Sequence, residues 1–322
     1  MTVVRSLHPA ATIGHADDFA ADVRKGLSTQ PKRMGSKYFY DAIGSALFER
    51  ICDQPEYYLT RTELQILGAH VEAIADVIGP RALLVEYGSG AGIKTRLLLA
   101  ALDRPVGYVP IEISDSALDA SIDALADEFP DVQMLPVCAD FTRTVKLPLA
   151  RQKHERVVVF FPGSTLGNFE QRDAVSLLRT MRDEIGANGF ALVGVDLKKD
   201  RATLEAAYND AAGVTRDFTL NLLARMNREL DGDFDLSQFR HRAHYNALAG
   251  RIETHIVSVC AQSVAVAGRR FGFAKDEAML VEYSCKYAQA DIDAMAAKAG
   301  LRVVRTWTDA EQRFALQLLE RA

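Results

Sequence analysis

The sequence predicts an α/β protein with an open, mostly parallel β-sheet, an antiparallel C-terminal edge to that sheet, and a second, discontinuous α+β domain. Two observations predict the sheet: short apolar runs recur between residues 82 and 196, and segments of helical periodicity separate them. This alternation is typical of βαβ units with strands buried on both faces. A third observation, two closely spaced apolar runs near the C-terminus, predicts the antiparallel edge.

The predicted strands are the apolar runs themselves. In chain order they cover residues 82–87, 108–113, 132–138, 157–161 and 190–195. Helical spacing predicts the intervening helices 94–102, 115–129 and 172–185, the second with Ser114 as a possible N-cap. After a helix over 290–299, the runs 301–307 and 313–319 form the predicted antiparallel pair.

Two domains are expected, each built from two stretches of chain. Residues 61–196 and 287–322 contain the predicted sheet. Residues 1–60 and 197–286 lie outside it, with helical patterns up to residue 60 and near 200–230, and with apolar alternation over 251–264. We therefore expect the second pair of stretches to form a second α+β domain, which would bind the substrate.

Length and charge narrow the functional class. A chain of 322 residues can bury a core without disulfides, and a formal net charge of −5 lacks the positive balance of a nucleic-acid-binding protein. The four cysteines form no Cys-x-x-Cys pair, the histidines show no zinc-ligand spacing, and no apolar run is long enough to span a membrane. We expect a cytoplasmic monomer that acts on a small molecule, with no nucleic-acid partner, membrane segment or metal.

A glycine-rich loop lies between the first predicted strand and the first helix of the sheet. Residues 86–92 read Glu-Tyr-Gly-Ser-Gly-Ala-Gly. Glycines permit a sharp turn and a close approach of ligand to backbone, and the helix that follows offers free N–H groups. A dinucleotide-binding fingerprint would require glycine at position 93, where Ile93 stands. The loop therefore indicates a nucleotide-containing ligand and disfavours a nicotinamide oxidoreductase.

Further candidate ligand-binding residues stand at the ends of the next two strands. The loop that begins with Glu86 resembles motif I of the Rossmann-like S-adenosylmethionine (SAM) methyltransferases, whose acid-x-Gly-x-Gly loop runs beneath the amino-acid end of the cofactor. Glu112 agrees with that resemblance, because it ends the second strand, where a carboxylate can accept hydrogen bonds from both ribose hydroxyls. Asp140 and Phe141 agree as well, because they follow the third strand, where they can bind the amine and cover the ring of adenine. Each acid alone could be a solvated loop residue, but their order at successive strand ends disfavours that interpretation.

A second loop of small residues, 163–168, follows the fourth predicted strand. Its sequence is Gly-Ser-Thr-Leu-Gly-Asn. In small-molecule methyltransferases this strand end faces the methyl group, and the amide of Asn168 can both accept and donate hydrogen bonds. A glycine turn capped by Ser164 or Asn168 is the structural alternative.

Less common motifs extend the resemblance from about residue 20 to the C-terminus. They are Lys-Tyr-Phe-Tyr-Asp at 37–41, Pro-Glu-Tyr-Tyr-Leu-Thr-Arg-Thr-Glu at 55–63, Tyr-Asn-Asp-Ala-Ala-Gly-Val-Thr at 208–215, Asn-Arg-Glu-Leu at 227–230 and Glu-Tyr-Ser-Cys-Lys at 282–286. With these motifs the sequence resembles the histidine Nα-methyltransferases of ergothioneine biosynthesis. That family trimethylates the α-amine of L-histidine to hercynine in three SAM-dependent transfers.

The resemblance implies roles for the residues at matching motif positions. It implies that the carboxylate and amine of histidine are held by Tyr57, Asn168 and Tyr208. It assigns the imidazole to Glu282 and Ser284, includes Tyr283 in the same substrate-binding motif, and makes Tyr40 and Asn168 the catalytic residues. The residues that it implies for SAM binding are Glu86, Gly88, Gly90, Lys94, Glu112, Asp140 and Phe141.

The sequence departs from the family pattern in places, and other functions stay open. Leu59 stands where proline is common, Glu112 where aspartate is common, and residues 90–93 read Gly-Ala-Gly-Ile where the family often has Gly-Thr-Ser-Glu. The alternatives are a related N-methyltransferase acting on another amino acid or an aromatic amine, and a SAM-binding regulator without turnover. Glu282 and Ser284 favour imidazole, because an indole or phenol would not need that pair.

Overall fold

A computed structural model describes residues 15–90, 92–113, 115–143, 145–148 and 150–322. The possible N-cap Ser114 and the segment 1–14 lie outside these residues. Of the described residues, Leu59–Lys198 and Lys286–Ala322 form one compact unit, called unit 1 here, and residues 15–58 with Lys199–Cys285 form unit 2. No described helix has the length and apolar character needed to cross a membrane.

The helices and strands are numbered in chain order. The α-helices are α1 (His15–Ser28), α2 (Ala42–Cys52), α3 (Tyr58–Ile78), α4 (Ile93–Ala101), α5 (Asp115–Glu128), α6 (Gln171–Ile185), α7 (Arg201–Ala206), α8 (Val214–Glu229) and α9 (Gln289–Ala299). The strands are β1 (Ala82–Tyr87), β2 (Gly107–Glu112), β3 (Gln133–Met134), β4 (Val137–Cys138), β5 (Arg156–Phe161), β6 (Phe190–Asp196), β7 (Phe239–Asn246), β8 (Arg251–Ser258), β9 (Gln262–Val266), β10 (Arg269–Phe273), β11 (Ala278–Cys285), β12 (Leu301–Thr308) and β13 (Phe314–Arg321).

Unit 1 is built on one sheet whose strand order is β12-β13-β6-β5-β1-β2-β3, with the short β4 also paired to β2. The strands from β3 to β6 run parallel, whereas β13 is antiparallel to both β6 and β12. The mostly parallel sheet with an antiparallel C-terminal edge is therefore confirmed. Every residue of β1 and β6 is buried, as expected of central strands covered on both faces.

The strand order reverses at β1, which pairs with β2 on one side and β5 on the other. Ligands of open α/β sheets bind outside the carboxyl ends of the strands at such a reversal. The glycine loop follows β1 and the 163–168 loop follows β5. Both loops that the sequence singled out therefore lie at the reversal.

One predicted strand is wrong in extent, and one alternating segment spans two strands. The run 132–138 is divided into β3 and β4 at Leu135 and Pro136, because proline has no N–H to donate to a strand ladder. Both pieces nevertheless pair with β2. The alternating segment 251–264 is divided where the Ser258 hydroxyl donates to the Cys260 carbonyl at 2.8 Å. Its two halves, β8 and β9, belong to different sheets.

Unit 2 combines helices with two small antiparallel sheets. Strands β11, β8 and β7 form one sheet in that order, and β9 pairs with β10 in the other. The register of β11 on β8 shifts between Leu280 and Glu282, which marks a bulge. Bulges re-aim the side chains beside them, and this one directly precedes the candidate residues Glu282 and Ser284.

Candidate functional site

The glycine loop of unit 1 requires glycine at three positions. Gly88, Gly90 and Gly92 have φ angles of 74°, 48° and 68°, a left-handed region that other residues rarely adopt. A Cβ atom built on Gly90 would have no neighbour within 4 Å, so this side of the loop is open. The buried Ser89 hydroxyl makes no hydrogen bond with any described residue. The loop thus combines open space with an unsatisfied polar group, as a ligand-binding loop requires.

Glu86 lies beneath this loop in β1 and is almost completely buried. Its Oε2 atom accepts hydrogen bonds from the Thr95 hydroxyl at 2.6 Å and from the Tyr108 hydroxyl. Burial raises the pKa of this carboxyl to about 7, against the opposing effect of the two hydrogen bonds. Glu86 therefore joins β1, β2 and α4 under the loop.

The other predicted cofactor residues of β2 and β4 lie at neighbouring strand ends. Glu112 ends β2 and accepts a hydrogen bond from the Ile113 N–H at 2.8 Å. Asp140 follows β4, and its Oδ1 accepts from the N–H and the hydroxyl of Thr142. Phe141 stacks on Tyr87, with ring centroids 5.3 Å apart and an interplanar angle of 18°. The Phe141 ring also lies 3.8 Å from where a Cβ of Gly88 would be, which places it beside the glycine loop.

Lys94 is held by a residue for which the sequence suggested no role. Its ammonium, in the first turn of α4, forms an ion pair with Glu63 of α3, whose side chain is fully buried. The same carboxylate accepts the Gly163 N–H, with N–O distances of 2.9 and 3.1 Å. Glu63 appeared in the sequence only as the last residue of the 55–63 motif. The partners of the ion pair are 31 residues apart in the sequence and those of the hydrogen bond are 100 apart. Local sequence patterns do not predict contacts at such separations.

The 163–168 loop has a strained start. Gly163 and Ser164 have φ angles of 77° and 57°, and a non-glycine residue in this region costs about 1–3 kcal/mol. The buried Ser164 hydroxyl accepts the Asp196 N–H at 2.9 Å and does not cap the 3₁₀ helix Thr165–Asn168. Asn168 is half-buried, and no described residue hydrogen-bonds its side-chain amide. Strain of this kind is typical of functional loops, and Asn168 is available to a ligand.

A buried ion pair lies at the end of β6. The Lys286 ammonium is 2.7 Å from the Asp196 carboxylate, and both side chains are fully buried. Lys286 is the last residue of the 282–286 motif, so the pair gives that lysine a structural explanation. The adjacent Tyr287 donates its N–H to the Asp196 carbonyl at 3.0 Å and its hydroxyl to the Leu166 carbonyl at 3.3 Å. These contacts connect β6 with the loop that ends at Asn168.

Unit 2 contains a cluster of tyrosines. The Tyr57 and Tyr208 rings meet edge to face, with centroids 6.3 Å apart. Burial, and then the neighbouring Tyr208, Cys52, Tyr40 and Glu282, raise the pKa of Tyr57 well above its ordinary value. The Tyr57 hydroxyl is therefore a proton-bearing hydrogen-bond donor at neutral pH. Tyr40 packs edge-on against the Phe48 and Phe218 rings.

Three polar side chains of the predicted substrate set meet beside this cluster. The Tyr208 and Ser284 hydroxyls lie 2.6 Å apart and are buried. Glu282 and Ser284 are two residues apart on β11 and so point to the same face. The Glu282 carboxylate accepts a hydrogen bond of 3.5 Å from the Thr254 hydroxyl.

Tyr283 lies on the other face of β11 from Glu282 and Ser284, because successive side chains of a strand alternate between its two faces. Its ring lies 3.6 Å from the Arg251 guanidinium, on the face opposite to Glu282 and Ser284. Tyr283 therefore lies apart from Glu282 and Ser284 on β11, and its role in binding the substrate stays a prediction. The contact of Tyr283 with Arg251 joins β11 to β8.

The 208–215 motif has a structural explanation at its centre. Asp210 accepts the N–H groups of Val214 and Thr215 at 2.7 and 2.8 Å, and thereby caps the start of α8. His241 hydrogen-bonds the Tyr208 carbonyl at 2.9 Å and the Thr219 hydroxyl at 3.0 Å. These contacts fix the backbone on which Tyr208 stands. Within the described part of the chain, no group of three or more His, Cys, Asp or Glu residues is arranged to hold a metal ion.

The chain matches a family model and curated proteins over nearly its whole length. The model of the family described as "Histidine-specific methyltransferase, SAM-dependent" matches residues 19–321. A histidine N-alpha-methyltransferase from Mycolicibacterium smegmatis is 41% identical over 312 residues, which cover 95% of this chain and 96% of that protein. A protein of the same name from Mycobacterium tuberculosis is 38% identical over 303 residues, with 92% and 93% covered.

A solved structure shows the same fold. It is a SAM-dependent methyltransferase from Clostridium acetobutylicum, which matches with a TM-score of 0.50 and covers 85% of this chain and 98% of that chain. The sequence identity is 10%, so this likeness concerns the fold alone.

Proposed function

Because the chain belongs to the family of SAM-dependent, histidine-specific methyltransferases, we propose that it methylates the α-amine of L-histidine three times and forms hercynine, the first step of ergothioneine biosynthesis. The observation that carries the proposal is the grouping of the buried Tyr208 and Ser284 with the half-buried Glu282 in unit 2. This grouping offers two hydroxyls and a carboxylate near the Tyr57 ring. Such groups can hydrogen-bond a small zwitterion that carries an imidazole.

Unit 1 is the proposed SAM-binding domain. When bound, SAM supplies a methyl group activated on a sulfonium centre. The unsatisfied Ser89 hydroxyl and the open side of Gly90 fit a polar group laid along the loop. Glu112 would accept the ribose hydroxyls, Asp140 and Phe141 would hold the adenine, and Lys94 would bind the amino-acid end. Glu86, already hydrogen-bonded beneath the loop, would act by supporting Gly88 and Gly90.

The substrate residues divide by the chemistry that they offer. Glu282 would accept an imidazole N–H, and Ser284, which shares a hydrogen bond with Tyr208, would bind beside it. Tyr57 keeps its proton because burial raises its pKa, so it can donate to the substrate carboxylate. Asn168 would orient the amine, since its amide is free of partners among the described residues. Tyr283 lies on the opposite face of β11 from Glu282 and Ser284.

The main task of the protein in methyl transfer is to position the reacting groups. Displacement at a sulfonium methyl group is an in-line reaction, so the protein must hold an unprotonated amine on the axis of the leaving group. An α-amine titrates near about pH 7.7–8.0, and its deprotonation is therefore inexpensive at neutral pH. Successive methyl groups remove hydrogen-bond donors and leave a permanent cation. Aromatic faces stabilise such a cation, and we assign this role to Tyr57 and Tyr40.

We further propose a monomeric, cytoplasmic enzyme. Among the described residues, none of the four cysteines is joined in a disulfide, which suits a reducing compartment. Light scattering of the purified protein tests the monomer, and fractionation of the source cells tests the compartment.

The reaction is tested by incubating the purified protein with SAM and L-histidine and identifying products by mass spectrometry. Mono-, di- and trimethylated histidine should appear in succession. N-Acetylhistidine is the matched control, because its α-amine is blocked and its imidazole is intact. Methylation of N-acetylhistidine would place the reaction on the ring and overturn the proposal, as would absence of methylated histidine from a protein that binds SAM.

A further inference from the structure

We propose that Glu63 is a positioning residue that fixes the cofactor loop after β1 relative to the Asn168 loop after β5. The inference rests on the proposed function, because it concerns the same methyl transfer. It assigns no contact with substrate or cofactor to Glu63. The carboxylate acts through Lys94 on one side and through the Gly163 N–H on the other.

The position of Glu63 in the fold supports this role. Glu63 lies on α3, yet its carboxylate reaches the two loops that leave the carboxyl ends of β1 and β5. These strands are direct neighbours at the point where the strand order reverses, and ligands of open α/β sheets bind there. A single side chain therefore sets the spacing between the loop proposed for SAM and the loop proposed for the amine.

The surroundings of Glu63 keep the carboxylate in one place. Its side chain is fully buried, and a buried carboxylate is stable only with a counter-charge and hydrogen-bond donors. Lys94 supplies the charge and Gly163 a donor. On the remaining side, a Cβ atom built on Gly194 of β6 would overlap Glu63 Oε1. Glycine at position 194 therefore makes room for the carboxylate, and any larger residue would displace it.

Two substitutions separate the contacts of Glu63. Glu63→Gln keeps an oxygen that can accept the Gly163 N–H but removes the charge that holds Lys94. Glu63→Ala removes both contacts. We expect Glu63→Gln to weaken binding of S-adenosylhomocysteine about tenfold, the usual effect of losing one charged hydrogen bond, with little change in the KM for histidine. We expect Glu63→Ala to weaken that binding and also to lower kcat.

Calorimetric titration of S-adenosylhomocysteine into each protein is the primary measurement, with histidine kinetics alongside it. Gly194→Ala is the independent variant, since it displaces the carboxylate without removing it, and it should behave like Glu63→Ala. Glu277→Gln is the matched control: it neutralises the mostly buried partner of Lys32 in unit 2 and should leave the affinity unchanged. If Glu63→Gln acts through Lys94, the double variant with Lys94→Gln should bind S-adenosylhomocysteine only slightly more weakly than Glu63→Gln alone.

The outcomes separate this inference from the proposed function. Wild-type affinity and kcat in both Glu63 variants, with only a lower melting temperature, would make Glu63 a stability residue and overturn the inference. The titration does not depend on the methyl acceptor. A wild-type protein that binds S-adenosylhomocysteine without methylating histidine would therefore overturn the proposed function alone. A wild-type protein that does not bind S-adenosylhomocysteine would overturn both.

Discussion

The Tyr208 hydroxyl and the Ser284 hydroxyl form a buried hydrogen bond of 2.6 Å between residues that are 76 positions apart in the chain. The family resemblance implies different duties for them, Tyr208 at the carboxylate and amine of histidine and Ser284 at its imidazole. Because Tyr208 and Ser284 share one hydrogen bond, the two residues that would bind opposite ends of the substrate are connected to each other. A change at either residue should therefore alter the contact made by the other.

This connection predicts non-additive mutations. Tyr208→Phe and Ser284→Ala should each raise the KM for histidine several-fold, since each loses a hydrogen bond of about 0.5–1.5 kcal/mol. The double variant should be little worse than the poorer single variant, because both remove the same interaction. Steady-state kinetics of the four proteins measures this coupling. Strictly additive effects would mean that the two hydroxyls act independently.

Glu282 should determine the recognition of imidazole. Glu282→Gln should raise the KM for histidine by about 10- to 100-fold, the range expected for a hydrogen bond to a charged group, with a smaller effect on kcat. Glu253→Gln is the matched control, because Glu253 lies on the neighbouring strand and pairs in register with Tyr283, on the opposite face. Equal losses in the two variants would contradict a direct contact of Glu282 with the substrate.

Glu86 should make stability fall as the pH rises. Its pKa is raised from 4.5 to about 7 by burial, so the folded state retains a proton that the unfolded chain releases. Between these two values the folded state binds more protons, and the free energy of unfolding decreases with pH, then becomes level above about pH 7. Glu86→Gln removes this titration.

Urea unfolding at about pH 5 and about pH 8.5 tests the sign: between these conditions the variant should gain roughly 3 kcal/mol relative to wild type. Glu184 has a pKa that burial also raises to about 7 and remains present in both proteins, so its contribution cancels. Stability curves that stay parallel in the two proteins would show that Glu86 does not titrate in this range.

The buried pair of Lys286 and Asp196 should be important for stability. Lys286→Met removes the ammonium next to a fully buried carboxylate and should cost about 3–5 kcal/mol. Combining it with Asp196→Asn should restore part of that loss, because the remaining group is then neutral. Lys198→Met is the control, since its pair with Asp291 is exposed and should contribute about 0–1 kcal/mol. Urea unfolding compares these three variants with the wild type.

Sequence patterns predicted the features of the fold that depend on local hydrophobicity. The apolar runs located β1, β2, β5 and β6, and the glycine loop and Asn168 were placed at strand ends, where the structure has them. Local patterns did not separate β3 from β4, although Pro136 was a signal that could have done so. They also did not reveal Glu63, because its partners Lys94 and Gly163 come near only when the sheet is assembled.

The substrate set was predicted from motifs rather than from physical pattern, so the faces on which its side chains lie could not be predicted with it. Alternation along β11 separates Tyr283 from its two neighbours in the motif. The bulge between Leu280 and Glu282 decides which face each side chain occupies. A bulge depends on the pairing of two strands, so a single strand's sequence does not predict it.

The most direct measurement is a competition among all the standard amino acids, supplied at equal concentrations with SAM and the purified protein, and resolved by mass spectrometry. The account predicts that histidine alone is methylated, that the trimethylated form accumulates, and that Glu282→Ala removes this preference. Methylation of another amino acid with histidine left unchanged would contradict it.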